Sequence, residues 1–80
     1  MNMRVGNFEL MLSSRPDKEY LVAEISFDNM YWVEINHEEE EMKIQFYPHP
    51  NLPCWEFDLN EALEVLAEAK KKILALGPKR

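Results

Sequence analysis

The chain is short of the residues on which several protein classes depend. Its 80 residues include a single cysteine, Cys54, so no internal disulfide can form and a disulfide-stapled secreted scaffold is excluded. Only two glycines occur, Gly6 and Gly77, and they build no glycine-rich loop of the kind that cradles phosphate. Nine basic residues face 15 acidic ones, for a formal charge of −6. The positive stripe that non-specific binding to nucleic acid or an anionic membrane needs is therefore missing, and neither is expected as a partner. No apolar run approaches the roughly 20 residues of a membrane span. Gly6, Asn7 and Glu9 interrupt the first dozen residues before a signal-peptide core can form. These absences lead to the expectation of a cytoplasmic protein kept in a reducing compartment.

What is present is globular in composition, with 46% apolar and 30% charged residues. The length suits one domain, 1–80, whose small core leaves little room for a large enclosed active site. Alternation of apolar and polar side chains marks strands at about 8–13, 20–27, 30–36 and 42–47. A fifth short strand is expected at 54–57, after the loop punctuated by Pro48, Pro50 and Pro53. A helix over 59–76 is announced by Asp58 as N-cap with Glu61 three residues on. Leu59, Ala62, Leu63, Leu66, Ala69, Ile73 and Leu76 form its apolar stripe, and Gly77-Pro78 stops it. The expected fold is α+β with two layers: an antiparallel meander of four to five strands and one C-terminal amphipathic helix packed on one face.

Strand parity then constrains the sheet. Ile25 and Val33 can share the helix-covered face only if directly opposite residues sum to an even number, so the loop at Asp28-Asn29 is expected to have odd length, three residues with a bulge. A three-residue loop pairs Phe27 with Tyr31, Ser26 with Trp32 and Glu24 with Glu34; the next hairpin pairs Ile35 with Ile44, Glu34 with Gln45 and Trp32 with Tyr47. On this reading Met11, Tyr20, Trp32 and Tyr47 lie on the open face among Glu9, Glu24, Glu34 and Glu56. Such a face is what any uncovered sheet presents. It is equally a surface of aromatic anchors ringed by carboxylates, suited to a cationic protein. The run Glu38, Glu39, Glu40 and Glu41 is a solvated hairpin loop that would also raise the encounter rate with a basic partner.

Chemistry is sparse. His37, His49 and Cys54 lack metal-ligand spacing, so no metal or other cofactor is expected. Both histidines read as solvated loop residues. Ser13 and Ser14 have no base nearby in sequence, and Cys54 has no cationic neighbour to activate it. Nothing assembles nucleophile, base and stabiliser, and no enzyme is expected.

The blocks Leu21-Val22-Ala23-Glu24-Ile25, Trp32-Val33-Glu34-Ile35-Asn36, Ile44-Gln45-Phe46-Tyr47-Pro48, and Glu61-Ala62-Leu63-Glu64 through Ala69-Lys70-Lys71-Lys72 resemble small acidic immunity proteins. These accompany the toxins of contact-dependent growth inhibition and related bacterial polymorphic toxin systems. The resemblance covers roughly residues 8–76 and is one of pattern and composition. It implies an intracellular protein that neutralises a cognate basic toxin domain, often a nuclease, by stoichiometric occlusion. The free protein would be a monomer or weak homodimer. Glu24, Trp32, Glu34, Glu38, Glu39, Glu40, Glu41 and Tyr47 are the candidate partner-binding residues, and a generic interaction module or homodimer is the alternative.

Overall fold

Two tight turns frame the sheet. The computed structural model describes residues 2–76. Strand β1 (Asn2–Val5) returns as β2 (Phe8–Ser13) through Gly6-Asn7. Gly6 has φ +57°, a left-handed conformation that costs glycine no Cβ clash, and the Glu61 carboxylate lies where a Cβ would stand. Strand β3 (Val22–Phe27) returns as β4 (Met30–Asn36) through Asp28 and Asn29, whose φ values of 50° and 67° give the turn a twist matching that of the strands. Strand β5 (Lys43–Phe46) and helix α1 (Leu59–Ala75) complete the chain. The strands pair antiparallel in chain order and α1 packs on one face, so the fold is the expected α+β meander.

Two strand expectations change. Residues 54–57 form no strand, and the fifth strand is β1 at the other end of the chain. Three prolines and the helix cap crowd the 48–58 segment, and its two aromatic residues serve as side chains instead. Trp55 donates its indole N–H to the Tyr47 carbonyl at 2.8 Å, and Phe57 enters the core. Gly-Asn flanked by alternating Met3, Val5, Phe8 and Leu10 was the hairpin signal for β1. Strand β3 also starts later than 20, because the backbone N–H groups of Glu19 and Tyr20 donate to the Glu38 carboxylate.

The β3–β4 register decides which residues can reach a partner. Ala23 faces Ile35, Glu24 faces Glu34 and Ile25 faces Val33, as parity required. Past a bulge, Ser26 faces Tyr31 and Phe27 faces Met30. The turn thus takes two residues, not three, and Trp32 is the extra residue of the bulge. A bulge lets neighbouring side chains share one face, so Trp32 joins Val33 beneath the helix while Tyr31 moves to the open face. The β4–β5 pairs Ile35 with Ile44 and Glu34 with Gln45 are as expected. The Tyr47 N–H donates to the Trp32 carbonyl at 2.9 Å, which keeps those two backbones adjacent.

The core lies between α1 and the sheet. Phe8 sits at its centre, with ring centroids 4.8 Å from Phe27, 5.4 Å from Trp32 and 4.8 Å from Phe57. Tilted and edge-on ring contacts at these distances add to what burial alone supplies. Asp58 caps α1 by accepting from the Glu61 N–H at 2.9 Å. The helix buries Ala62, Val65, Ala69 and Ile73, a face rotated from the expected stripe. Leu59, Leu63 and Leu76 are exposed. The expected stop at Gly77-Pro78 lies outside the described residues.

Candidate functional site

The face opposite α1 holds a cluster of ionic groups tied together across strands. Cross-strand pairing sets Glu24 beside Glu34, two like charges that would repel. Arg15 resolves this: one guanidinium nitrogen lies 2.9 Å from Glu24 Oε2 and 2.7 Å from Glu34 Oε1. Tyr47 donates its hydroxyl to the same Glu34 oxygen at 3.1 Å. Glu34 is only 2% exposed, so an unpaired carboxylate there would carry a heavy desolvation cost. The hydrogen bond to Glu24, then that to Tyr47 and the Glu34 charge, hold the Arg15 guanidinium above its usual pKa, so it stays charged. Burial raises the Tyr47 phenol above its usual value, and donation to Glu34 adds to this against the pull of Arg15. Two carboxylates around one guanidinium leave the cluster negative by one charge.

The cluster is built as a clamp. Each charged group is engaged by another, and Tyr47 is held as a hydrogen-bond donor. Sequence reasoning placed Arg15 in a polar turn and missed this role. A signal was available, since Met11, Ser13 and Arg15 continue the parity of β2 onto the open face, where Glu24 and Glu34 need a cation.

The expected binding residues are scattered by the fold. Trp32 is 7% exposed and lies on the helix side, not on the open face. Glu34 is sealed, and Glu24 is mostly buried against Arg15. Tyr47 is half-buried, with Tyr31 as its open-face neighbour at a ring distance of 6.4 Å. Glu38 ties the β4–β5 turn to the 14–21 loop through the Glu19 and Tyr20 N–H groups. Glu39, Glu40 and Glu41 are exposed, Glu39 within 3.7 Å of the Lys43 ammonium. Tyr20 is exposed in its loop, away from the strand position expected for it.

His37 is buried rather than solvated; its Nε2–H donates to the Glu40 carbonyl at 3.1 Å, and Nδ1 has no hydrogen-bond partner among the described residues. His49 accepts from the Asn51 and Leu52 N–H groups at 3.0 Å and thereby shapes the proline loop. Among the described residues no three of His, Cys, Asp or Glu converge as ligands for a metal ion. No described helix is long and apolar enough to cross a membrane.

Acidity concentrates elsewhere than the open face, where Arg4, Arg15 and Lys43 accompany Glu9, Glu24 and Glu34. From Ile44 to Ala69 there is no lysine or arginine, while Glu56, Asp58, Glu61, Glu64 and Glu68 all occur. The start of this stretch, with Asp28 of the β3–β4 turn, rims a half-open cleft of about 540 Å³ whose apolar lining includes Met30, Leu52 and Trp55. It is an apolar site with two carboxylates, Asp28 and Glu56, in its lining, at the end of the molecule where α1 begins.

A second surface is apolar without being covered. The backbone of α1 approaches β1, β2, β3 and β4 but, among the described residues, not β5. Ile44 and Phe46 point to the helix side of the sheet, yet are 44% and 63% exposed. At 100° per residue, Leu59, Leu63 and Leu66 fall on the flank of α1 towards β5, and Leu59 is 69% exposed. Leu66 and Lys70 line a groove with Met42, Lys43 and Ile44. Comparison of the chain with protein-family models, with curated proteins and with solved structures gives no match.

Proposed function

We propose that the chain is a binding protein that neutralises a basic protein partner by stoichiometric association, in the manner of a bacterial immunity protein and its toxin, and that it performs no catalysis. The observation that carries this reading is the apolar cleft at Leu52 and Trp55, lined also by the carboxylates Asp28 and Glu56, in a region where the stretch from Ile44 to Ala69 holds no lysine or arginine. A toxin that acts on nucleic acid must present lysine and arginine to phosphates. An acidic rim with apolar anchors can occupy such a surface and exclude its substrate. The exposed Glu39, Glu40 and Glu41 add long-range attraction from the opposite end. The resemblance to acidic immunity proteins supports the same reading, on which the protein acts in the cytoplasm.

Compared with the expectation from sequence, the docking residues move. Leu52, Trp55, Glu56 and Asp28 replace Trp32, Glu24 and Glu34, which the fold uses for its own stability. Co-expression with the product of the neighbouring gene, the expected toxin domain, tests the proposal. A one-to-one complex and restored growth are expected. Leu52→Lys combined with Glu56→Lys weakens the complex by roughly a hundredfold or more, as for an anchor at an interface centre. Lysine in place of Glu39, Glu40 and Glu41 slows association mainly at low salt. Absence of a complex together with absence of growth protection overturns the reading.

A further inference from the structure

The two edges of the sheet are not equivalent. At the β1 edge the residues facing the helix layer, Met3 and Val5, pack into the core. At the β5 edge their counterparts Ile44 and Phe46 stand exposed, beside an apolar helix flank. The direction of the free backbone groups at β5 follows from one hydrogen bond. Tyr47 points its N–H at the Trp32 carbonyl. In an antiparallel ladder alternate residues direct both backbone groups to the same neighbour. Lys43, Gln45 and Tyr47 therefore face β4, and the N–H and C=O groups of Ile44 and Phe46 face outward.

We infer that β5 is the interface for a second copy of this chain, paired antiparallel about a two-fold axis at Gln45. Ile44 of each copy then lies opposite Phe46 of the other, and each such pair exchanges N–H···O bonds in both directions. This register keeps Ile44 and Phe46 of both copies on the helix side, where an aromatic and a β-branched side chain make a favourable cross-strand pair. It ends where Pro48, which has no N–H, would otherwise have to extend the ladder.

Charge favours the same arrangement. On the open face, Lys43 of one copy lies opposite Tyr47 of the other, whose hydroxyl is bonded to Glu34 in a cluster negative by one charge. The two-fold also carries the Glu38–Glu41 turns to opposite ends of the joined sheet, so they do not repel. The surface is separate from the Leu52 cleft, and the inference does not depend on the proposed partner.

Sedimentation equilibrium of the purified chain is expected to show a reversible dimer. Gln45→Cys in a Cys54→Ser background places the new thiols across a non-hydrogen-bonded pair, with Cα atoms about 4.5 Å apart, within disulfide reach. Oxidation should convert it to a covalent dimer, whereas Lys43→Cys in the same background should cross-link at least tenfold more slowly. Ile44→Pro removes an N–H that points away from β4 and that no described strand uses, so it should abolish the dimer while leaving the circular dichroism spectrum unchanged. Phe46→Lys, at an exposed position, repeats this test without touching the backbone, and weakens association roughly a hundredfold. A chain that stays monomeric up to about 100 μM overturns the inference, even if the β5 edge binds some other protein. So does a dimer that survives both Ile44→Pro and Phe46→Lys, or one that Gln45→Cys fails to cross-link.

Discussion

The two faces of the β4–β5 hairpin reverse the usual arrangement of a small domain. On the face away from the helix, where solvent is the nominal neighbour, Glu34 is sealed beneath Arg15 and Tyr47. On the face towards the helix, where a core is the nominal neighbour, Ile44 and Phe46 lie open. The difference comes from the position of one element. Helix α1 leans over β1 to β4, so its side of β5 is left uncovered, while the long Arg15 side chain reaches across the other face and closes it. Polarity therefore does not report accessibility here. A cluster of charges can be an internal fastening, and a run of apolar residues can be the surface that meets a partner.

This contrast can be broken at measurable points. The largest effect belongs to Trp32, which shares a face with Phe46 but lies in the core. Trp32→Ala should cost about 3–5 kcal/mol in urea unfolding, as for other large aromatic truncations. A loss below about 1 kcal/mol would place that ring at the surface. Next comes the ionic clamp. Glu34→Gln gives up charge-assisted bonds from Arg15 and Tyr47 and should cost about 1.5–3 kcal/mol. Arg15→Gln leaves two facing carboxylates without a cation and lowers the melting temperature, and adding Glu24→Gln should recover part of that loss. If the double variant melts lower than Arg15→Gln alone, the clamp is not electrostatic.

Tyr47 gives a smaller effect with a pH signature. Tyr47→Phe loses one part-buried hydrogen bond, about 1 kcal/mol near neutral pH. The folded phenol titrates above its usual 10.0, so Tyr47 stabilises the fold fully below that value and loses this contribution as pH rises through the folded-state pKa. The variant should consequently show a shallower alkaline loss of stability than the parent chain. The smallest change is expected from the open apolar flank. Leu63→Ser and Phe46→Ser should alter unfolding by no more than about 0.5 kcal/mol at protein concentrations too low for association. A larger loss would mean that this flank is core after all.

Much of the architecture was legible in the residues. The period-2 runs, the Asp58 cap and the apolar helix positions identified the α+β class, and parity predicted the facing of Glu24 with Glu34 and of Ile35 with Ile44. The misplaced elements share a cause, which is that local pattern does not count neighbours. Residues 54–57 alternate as a strand would, yet Trp55 and Phe57 are used singly, one bonded to the Tyr47 carbonyl and one in the aromatic core. The Gly6-Asn7 hairpin was readable by turn chemistry. The bulge at Trp32 was expected in kind, but its two-residue turn exchanged the faces of Tyr31 and Trp32.

The candidate site was less legible. Of the residues singled out, Glu39, Glu40 and Glu41 keep the exposure expected of them, because a turn of consecutive charges has nowhere else to go. Glu24, Glu34 and Glu38 are consumed by partners distant in sequence, Arg15 for the first two and the 19–20 backbone for the third.

The amino-acid sequence by itself determined the class of the fold, the capped helix and the excess of negative charge, since these follow from periodicity, capping chemistry and composition. Only the tertiary structure decided where that charge can be reached and which apolar residues remain open. Burial depends on which layers cover which strands, and a single bulge, an arginine arriving from another loop and the lean of one helix settle that coverage through contacts no local pattern contains.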